Sequence, residues 1–208
     1  MNTTQMEALE TKIDRLVKQF QRSMLGLVLL SVCPLDALAQ TGHSHPSTIE
    51  QTSSQKNQAS ALIKIVRDST ERFKDVAEAE KEGYALQFGC VSGPDSGAMG
   101  LHYINGTLVG AGVVDPTHPP IVIYEAQPNG RLKLIGADFL VFADAWDKKN
   151  QGPPELMGQL FHYWETPNRF GLPAFYTLHV WTWKDNPNGA FVNWHPNVSC
   201  QSFAPQTP

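Results

Sequence analysis

The stretch AFYTLHVWTWKDNPNGAFVNWHPNVSC, residues 174–200, sets aromatic and β-branched residues on either side of an Asn188-Gly189 pair. Asn and Gly both tolerate positive φ, as a two-residue type I′ turn requires, and the flanking runs 175–183 and 190–194 have strand composition. The stretch therefore predicts a β-hairpin. Two further Asn-Gly pairs lie between apolar runs: Asn105-Gly106 between 99–104 and 107–113, and Asn129-Gly130 between 121–126 and 131–142. Repeated short hairpins specify antiparallel neighbours, because a parallel connection needs a dozen or more residues. A seventh strand is expected at 156–164, after the Pro153-Pro154 break, while the Pro-bearing connectors 115–120 and 148–154 read as loops.

Working outward, residues 60–82 carry Leu62, Ile65, Val66, Phe73 and Val76 at three- and four-residue steps, with charged residues between them. This spacing predicts an amphipathic helix that ends at Gly83. Its apolar face needs a partner, and the β-rich remainder is the one large apolar surface. The fold class that follows is α+β: an antiparallel, strongly curved sheet or partial barrel packed against one N-terminal helix.

The first 39 residues read as an export signal. Lys12, Arg15, Lys18 and Arg22 precede an apolar run at 24–32, and Ala37-Leu38-Ala39 supplies a small-x-small cleavage pattern before Gln40. The run is too short to span a bilayer. The long amphipathic n-region keeps an uncleaved anchor, or initiation at Met24, as the minority alternative. Residues 40–57 are polar and without periodicity, a flexible leader, followed by a single domain at 58–203 and a tail at 204–208. Within 208 residues that are 41% hydrophobic and 17% charged there is ample material for one core. The net charge of −4, with no cluster of Lys and Arg, argues against a nucleic-acid partner, and the mature chain shows no integral membrane domain.

Of the three cysteines, Cys33 falls within the signal, which leaves Cys90 and Cys200 in a compartment where disulfides form. A bridge between them is expected. Their spacing has none of the Cys-x-x-Cys character of a metal knuckle.

The blocks GAMGLHYINGTLVG, IVIYEAQPNGRLKLIGADFLVF, LMGQLFHY and LHVWTWKDNPNGAF, spread over residues 97–191, resemble those of a group of exported bacterial proteins without an assigned activity. The resemblance covers the chain from about residue 60 to Cys200. It implies export and a single-domain architecture, and it brings no functional residue with it.

No P-loop, dinucleotide fingerprint, nucleophile elbow or zincin motif is present, so turnover is left open. A ligand-binding reading of the candidate residues leads, with a metal-binding reading as its alternative. In the first, Trp and Tyr side chains line a pocket on the concave face of the sheet for a small ligand, with His179, Trp181, Trp183, Tyr103, Tyr163 and Trp164 as binding residues. In the second, the strand histidines His102, His162 and His179 hold a metal such as Zn or Cu, as a carrier or metalloenzyme, with Glu125, Asp138 and Glu155 as candidate carboxylates. At most two of these imidazoles are expected to be close. A third possibility is a structural or interaction protein of the cell envelope with an exposed aromatic face.

Overall fold

The computed structural model describes residues 51–203. The expected export signal, Cys33, most of the polar leader and the tail at 204–208 lie outside the described residues.

Helix α1, Ser53–Thr70, starts earlier than the apolar spacing predicts. The cause is a capping box: Thr52 Oγ1 accepts from the Gln55 backbone N–H, and the Gln55 side chain accepts from the Thr52 backbone N–H at 2.8 Å. The single helix expected over 60–82 is instead broken into three. After α1 come a 3₁₀ turn, Glu71–Lys74, and α2, Val76–Lys81, which Asp75 caps through the Ala77 N–H. The break falls where the helix touches the sheet. There Thr70 Oγ1 bonds back to the Val66 carbonyl, the Trp183 indole donates to Thr70 Oγ1, and the Tyr124 hydroxyl donates to the Phe73 carbonyl. Gly83, at φ 88°, reverses the chain after α2.

The sheet has six strands, all antiparallel, in the order β1-β2-β3-β4-β8-β7: β1 Ala85–Ser92, β2 Ala98–Ile104, β3 Ile121–Ala126, β4 Leu132–Phe142, β7 His162–Trp164 and β8 Phe175–Val180. It is strongly curled into a half-barrel. Leu62 and Val66 of α1 pack on Ala137, Phe139, Leu178 and Val180, while Phe73 and Ala79 pack on Leu101, Tyr103, Val122 and Tyr124. Burying side chains of this size is worth about 1.5–3 kcal/mol each, so tertiary contact rather than propensity holds the helix in place. Of the expected helix core, Leu62, Val66 and Phe73 are buried, and Ile65 and Val76 are half-buried. The opposite sheet face is lined by Ile121, Ile123, Leu140, Phe175 and Trp181. On that side Phe88 of β1 reaches Phe170, just after β7, with ring centroids 5.4 Å apart. The two edges of the sheet meet there, which makes it the inside of the curl.

Three expected hairpins resolve differently. Asn129-Gly130 does join β3 to β4, but the turn spans Gln127 to Gly130, whose φ is 77°. At Asn105-Gly106 there is no hairpin: Asn105 Oδ1 accepts from the N–H groups of Thr107 and Leu108 and opens the short helix α3, Gly106–Ala111. At Asn188-Gly189 the chain turns back, yet no second strand forms. Beyond Val180 the regular ladder ends in a one-residue slip: the Trp183 N–H still bonds to the Ile135 carbonyl of β4, and the Thr182 hydroxyl bonds to the Ile63 carbonyl. Side chains then fix the returning arm: the Trp181 indole donates to the Val192 carbonyl at 2.6 Å and Asn186 to the Trp194 carbonyl. Further on, His195 pairs with Ala98 in an isolated antiparallel bridge.

The stretch expected as one strand over 156–164 is cut by a turn. β5, Glu155–Leu156, pairs with β6, Gln159–Leu160, about Met157 and Gly158, whose φ values of 50° and 81° are those of a type I′ turn. Helix α4, Ala143–Asp147, closes the end of β4. Cys90 and Cys200 are bridged, with Cα atoms 5.7 Å apart, and join edge strand β1 to the end of the returning arm. In chain-entropy terms a crosslink over 110 residues contributes about 5 kcal/mol.

A buried histidine and aspartate cluster inside the curl

Antiparallel partners present their side chains on the same face, so register decides which residues meet. Ile104, Ile121, Asp138 and His179 form one row across β2, β3, β4 and β8. His102, opposite Ile123, stands in the row on one side, and Leu140 and Thr177 stand in the row on the other. All of this lies inside the curl. There His102, Asp138 and His179 place one ligand-type atom each within 4.8 Å of one another, and all three residues are buried.

The cluster is short of hydrogen bonds. His179 Nδ1 lies 3.6 Å from Asp138 Oδ1, and His102 Nδ1 and both ring nitrogens of His179 have no hydrogen-bond partner among the described residues. Buried polar atoms left in this state cost about 1–3 kcal/mol each. The Asn193 carboxamide faces His179 and favours its protonated form, but its Oδ1 is itself without a partner. Asp138 is better supplied: the Thr177 hydroxyl donates to its Oδ1 at 2.6 Å, and the Leu178 and Phe139 backbone N–H groups also support the carboxylate.

Burial dominates the electrostatics. It pushes the Asp138 carboxyl up to about 6, against the pull of His102 and of the donors just named. It pushes His102 down to about 4, helped by neighbouring His179 and opposed by Asp138. His179 falls to about 3 for the same reason, with a smaller contribution from His162. At neutral pH the group is thus two neutral imidazoles and one carboxylate, the protonation states of metal ligands.

The cavity beside the cluster has a volume of about 30 Å³. Apart from the cluster and Thr177 its walls are apolar, with Met99 and Ile104 from β2, Trp164 from β7, and Phe170 and Leu172 from the loop before β8. Trp164 stacks on Phe175 at an interplanar angle of 4°. Phe88 closes the outer side. It sits in a β-bulge of β1 between Gln87 and Cys90, at φ 64°, and is 46% exposed.

The sequence-derived candidates separate accordingly. His102 and His179 come together, and Asp138 joins them. His162 does not: it lies at the edge end of the Thr177 row, exposed, with Nε2 3.2 Å from the Phe191 carbonyl. Of the aromatics, Trp164 lines the cavity and Trp181 stacks behind His179 at 5.7 Å. Tyr103 and Trp183 are on the helix side; the alternation that would keep Trp183 with Trp181 fails because the strand ends at Val180. Trp183 carries Arg67 and Lys74 on its ring instead. Tyr163 is exposed and pairs with Tyr176. The other candidate carboxylates have structural partners. Glu125 holds Lys184 at 2.7 and 2.8 Å, and Glu155 accepts from the Gly158 N–H. Phe88 and Phe170 had no signal in the sequence as site residues, whereas strand alternation sets Thr177 on the face of His179.

Together the His/Asp cluster and the surrounding aromatic cluster are compatible with metal or ligand binding. Among the described residues no helix is long and apolar enough to cross a membrane. Compared with known proteins, the chain matches no family model, no curated protein and no solved structure.

Proposed function

We propose that this protein is an exported metal-binding protein in which His102, Asp138 and His179 hold one divalent transition-metal ion, Fe²⁺ or Zn²⁺, and leave at least one coordination position open toward the cavity. The observation that carries this reading is the convergence of three buried ligand-type residues in which His102 Nδ1 and both ring nitrogens of His179 have no hydrogen-bond partner among the described residues. Two imidazoles and one carboxylate with an open position are the donor set of catalytic zinc sites and of non-haem iron sites. Around a tetrahedral ion with bonds of about 2.0–2.1 Å, ligand atoms stand about 3.4 Å apart. The 3.6 Å between His179 and Asp138 is already near that spacing, and a His102 nitrogen lies within 4.8 Å of both.

A drug- or sugar-sized ligand is the weaker reading of the same place, since pockets for such molecules run to about 300–1,000 Å³, against about 30 Å³ here. Export is supported by the Cys90–Cys200 bridge together with the basic and apolar pattern of residues 1–39.

The test is elemental analysis of the exported protein purified without a polyhistidine tag, followed by chelation and calorimetric titration with Zn²⁺ or Fe²⁺. One metal per chain is expected. Replacing His102 or His179 by Ala should weaken binding by at least about 100-fold, more than loss of an outer-shell partner alone. A wild-type chain that takes up neither ion, or alanine variants that bind as it does, would end this reading.

A further inference from the structure

We infer that the coordination position left open by His102, Asp138 and His179 takes the carboxylate of a small monocarboxylic acid, whose apolar substituent lies among Phe88, Trp164, Phe170 and Leu172. The inference rests on the metal reading above and names the ligand class of that site.

Charge sets the first requirement. A divalent ion held by two neutral imidazoles and one carboxylate keeps one positive charge, and the residues that hold it are buried. A charge in such surroundings is costly unless it is paired, so the open position draws an anion. One negative charge brings the site to neutrality. A second would need a cation beside it, and no Lys or Arg lines the cavity. A monoanion therefore suits the site better than a phosphate dianion or a dicarboxylate. Carboxylate oxygen is an ordinary zinc ligand, and zinc with three protein ligands can expand to five-coordinate. That capacity matters here, because the one hydroxyl in the wall, on Thr177, already donates to Asp138. Outside the cluster the lining offers no side-chain donor for the second carboxylate oxygen, so both oxygens belong on the ion.

The walls set the second requirement. An unbroken aromatic track runs from the surface toward the cluster: Phe88 meets Phe170 at 5.4 Å, Phe170 meets Trp164 at 5.5 Å, and Trp164 stacks on Phe175 at 6.0 Å. All four rings line the cavity, with Leu172 beside them. An apolar substituent gains by leaving water for such a wall, whereas a charged or hydroxylated one would lose its hydration and find no partner. The outer end of the track is Phe88. Its backbone is left-handed, at φ 64°, in the bulge that ends at disulfide-bonded Cys90, and the residue lines the cavity while almost half of it stays in solvent. A substituent that outgrows the cavity thus runs along this ring into water.

The experiment loads the full chain with Co²⁺, whose visible spectrum reports its coordination, and checks retention by elemental analysis before and after each titration. Sodium acetate, sodium butanoate and inorganic phosphate are added separately at pH 8 and constant ionic strength. Both carboxylates should change the spectrum. Butanoate should bind about tenfold tighter than acetate, since each buried methylene is worth about fourfold, and phosphate should bind at least about tenfold more weakly than butanoate. In Phe170→Ala the preference for butanoate over acetate should fall to about threefold or less; Phe88→Gly, which suits the left-handed backbone, gives the same reading should Phe170→Ala lose its fold. Failure to retain Co²⁺ defeats the metal reading, and the inference with it. Retained Co²⁺ with a spectrum that neither carboxylate changes overturns the inference alone. Equal binding of acetate and butanoate, a preference that the folded variant keeps in full, or phosphate binding tighter than butanoate would each overturn the ligand class assigned here.

Discussion

Replacing Asp138 by Asn removes a charge from the centre of the cluster with little change of shape, and two opposing effects can be weighed. In the metal-free protein burial raises the Asp138 pKa from 3.8 to about 6. A carboxyl whose folded pKa is raised contributes most to stability below its unfolded pKa and loses that contribution as pH rises through the folded value. At about 1.4 kcal/mol per pKa unit, the wild type forfeits about 3 kcal/mol between pH 4 and pH 7 through this one group. Asn forfeits nothing over that range. It does give up part of the acceptor set that serves Thr177, Leu178 and Phe139, which costs about 1–2 kcal/mol at every pH. The chelated variant should thus be less stable than wild type near pH 4 and more stable by about 1–2 kcal/mol at pH 8, with a crossover between, while metal binding is lost. Urea unfolding of both chelated proteins at pH 4, 6 and 8 measures this, with a calorimetric titration alongside. A variant equally destabilised at pH 4 and pH 8, or one that keeps full metal affinity, would refute the reasoning, since Asp138 would then be acting as an ordinary hydrogen-bond acceptor.

Phe73→Ala should cost about 3–5 kcal/mol in the same unfolding assay, because the ring is 1% exposed and packs on Tyr84 at 5.1 Å; a loss of a few tenths would mean that the helical segment is not docked. Gly97→Ala should destabilise or misfold the chain: φ is 80°, and a Cβ there would stand 2.2 Å from the His195 carbonyl oxygen, on the bridge that holds the returning arm. Normal melting of that variant would mean the bridge is dispensable. Between pH 10 and 12 stability should fall, because burial pushes the Tyr84 hydroxyl up to about 12, so the unfolded chain releases this proton first. Tyr84→Phe, which gives up the hydrogen bond to the Pro119 carbonyl, should be weaker at neutral pH and show a shallower alkaline loss; identical alkaline slopes would assign the effect elsewhere.

Periodicity made α1 and its packing legible, since Leu62, Val66 and Phe73 recur at helical steps and are the residues that reach the sheet. The Asn-Gly pairs were ambiguous for a physical reason. Asn is both a turn residue and a helix N-cap, and at Asn105 the backbone took the second use. A two-residue hairpin turn with both φ values positive sits at Met157-Gly158, where nothing in the composition announces it. Strand β1 escaped detection because Phe88 and Gly89 both adopt positive φ and break the alternation that a strand would show. At the site, His102 and His179 stood out as histidines between apolar neighbours, and His162 shares that pattern. Local pattern cannot tell a central strand from an edge, and β7 is an edge. Asp138 was visible as a carboxylate, but its meeting with the two histidines depends on the order of strands from β2 to β8.

The bridge between Cys90 and Cys200 also has a topological consequence. All strands from β2 to β8 and all three residues of the cluster lie within the covalent ring it closes. A protease that cuts the exposed loop at 148–152 leaves the polypeptide as one molecule, its mass raised by a single water and its two new ends held by the same ring. Only reduction would let the pieces part. The segment 53–81 lies outside the ring, so a cut before β1 would free it as soon as its non-covalent hold on the sheet gave way.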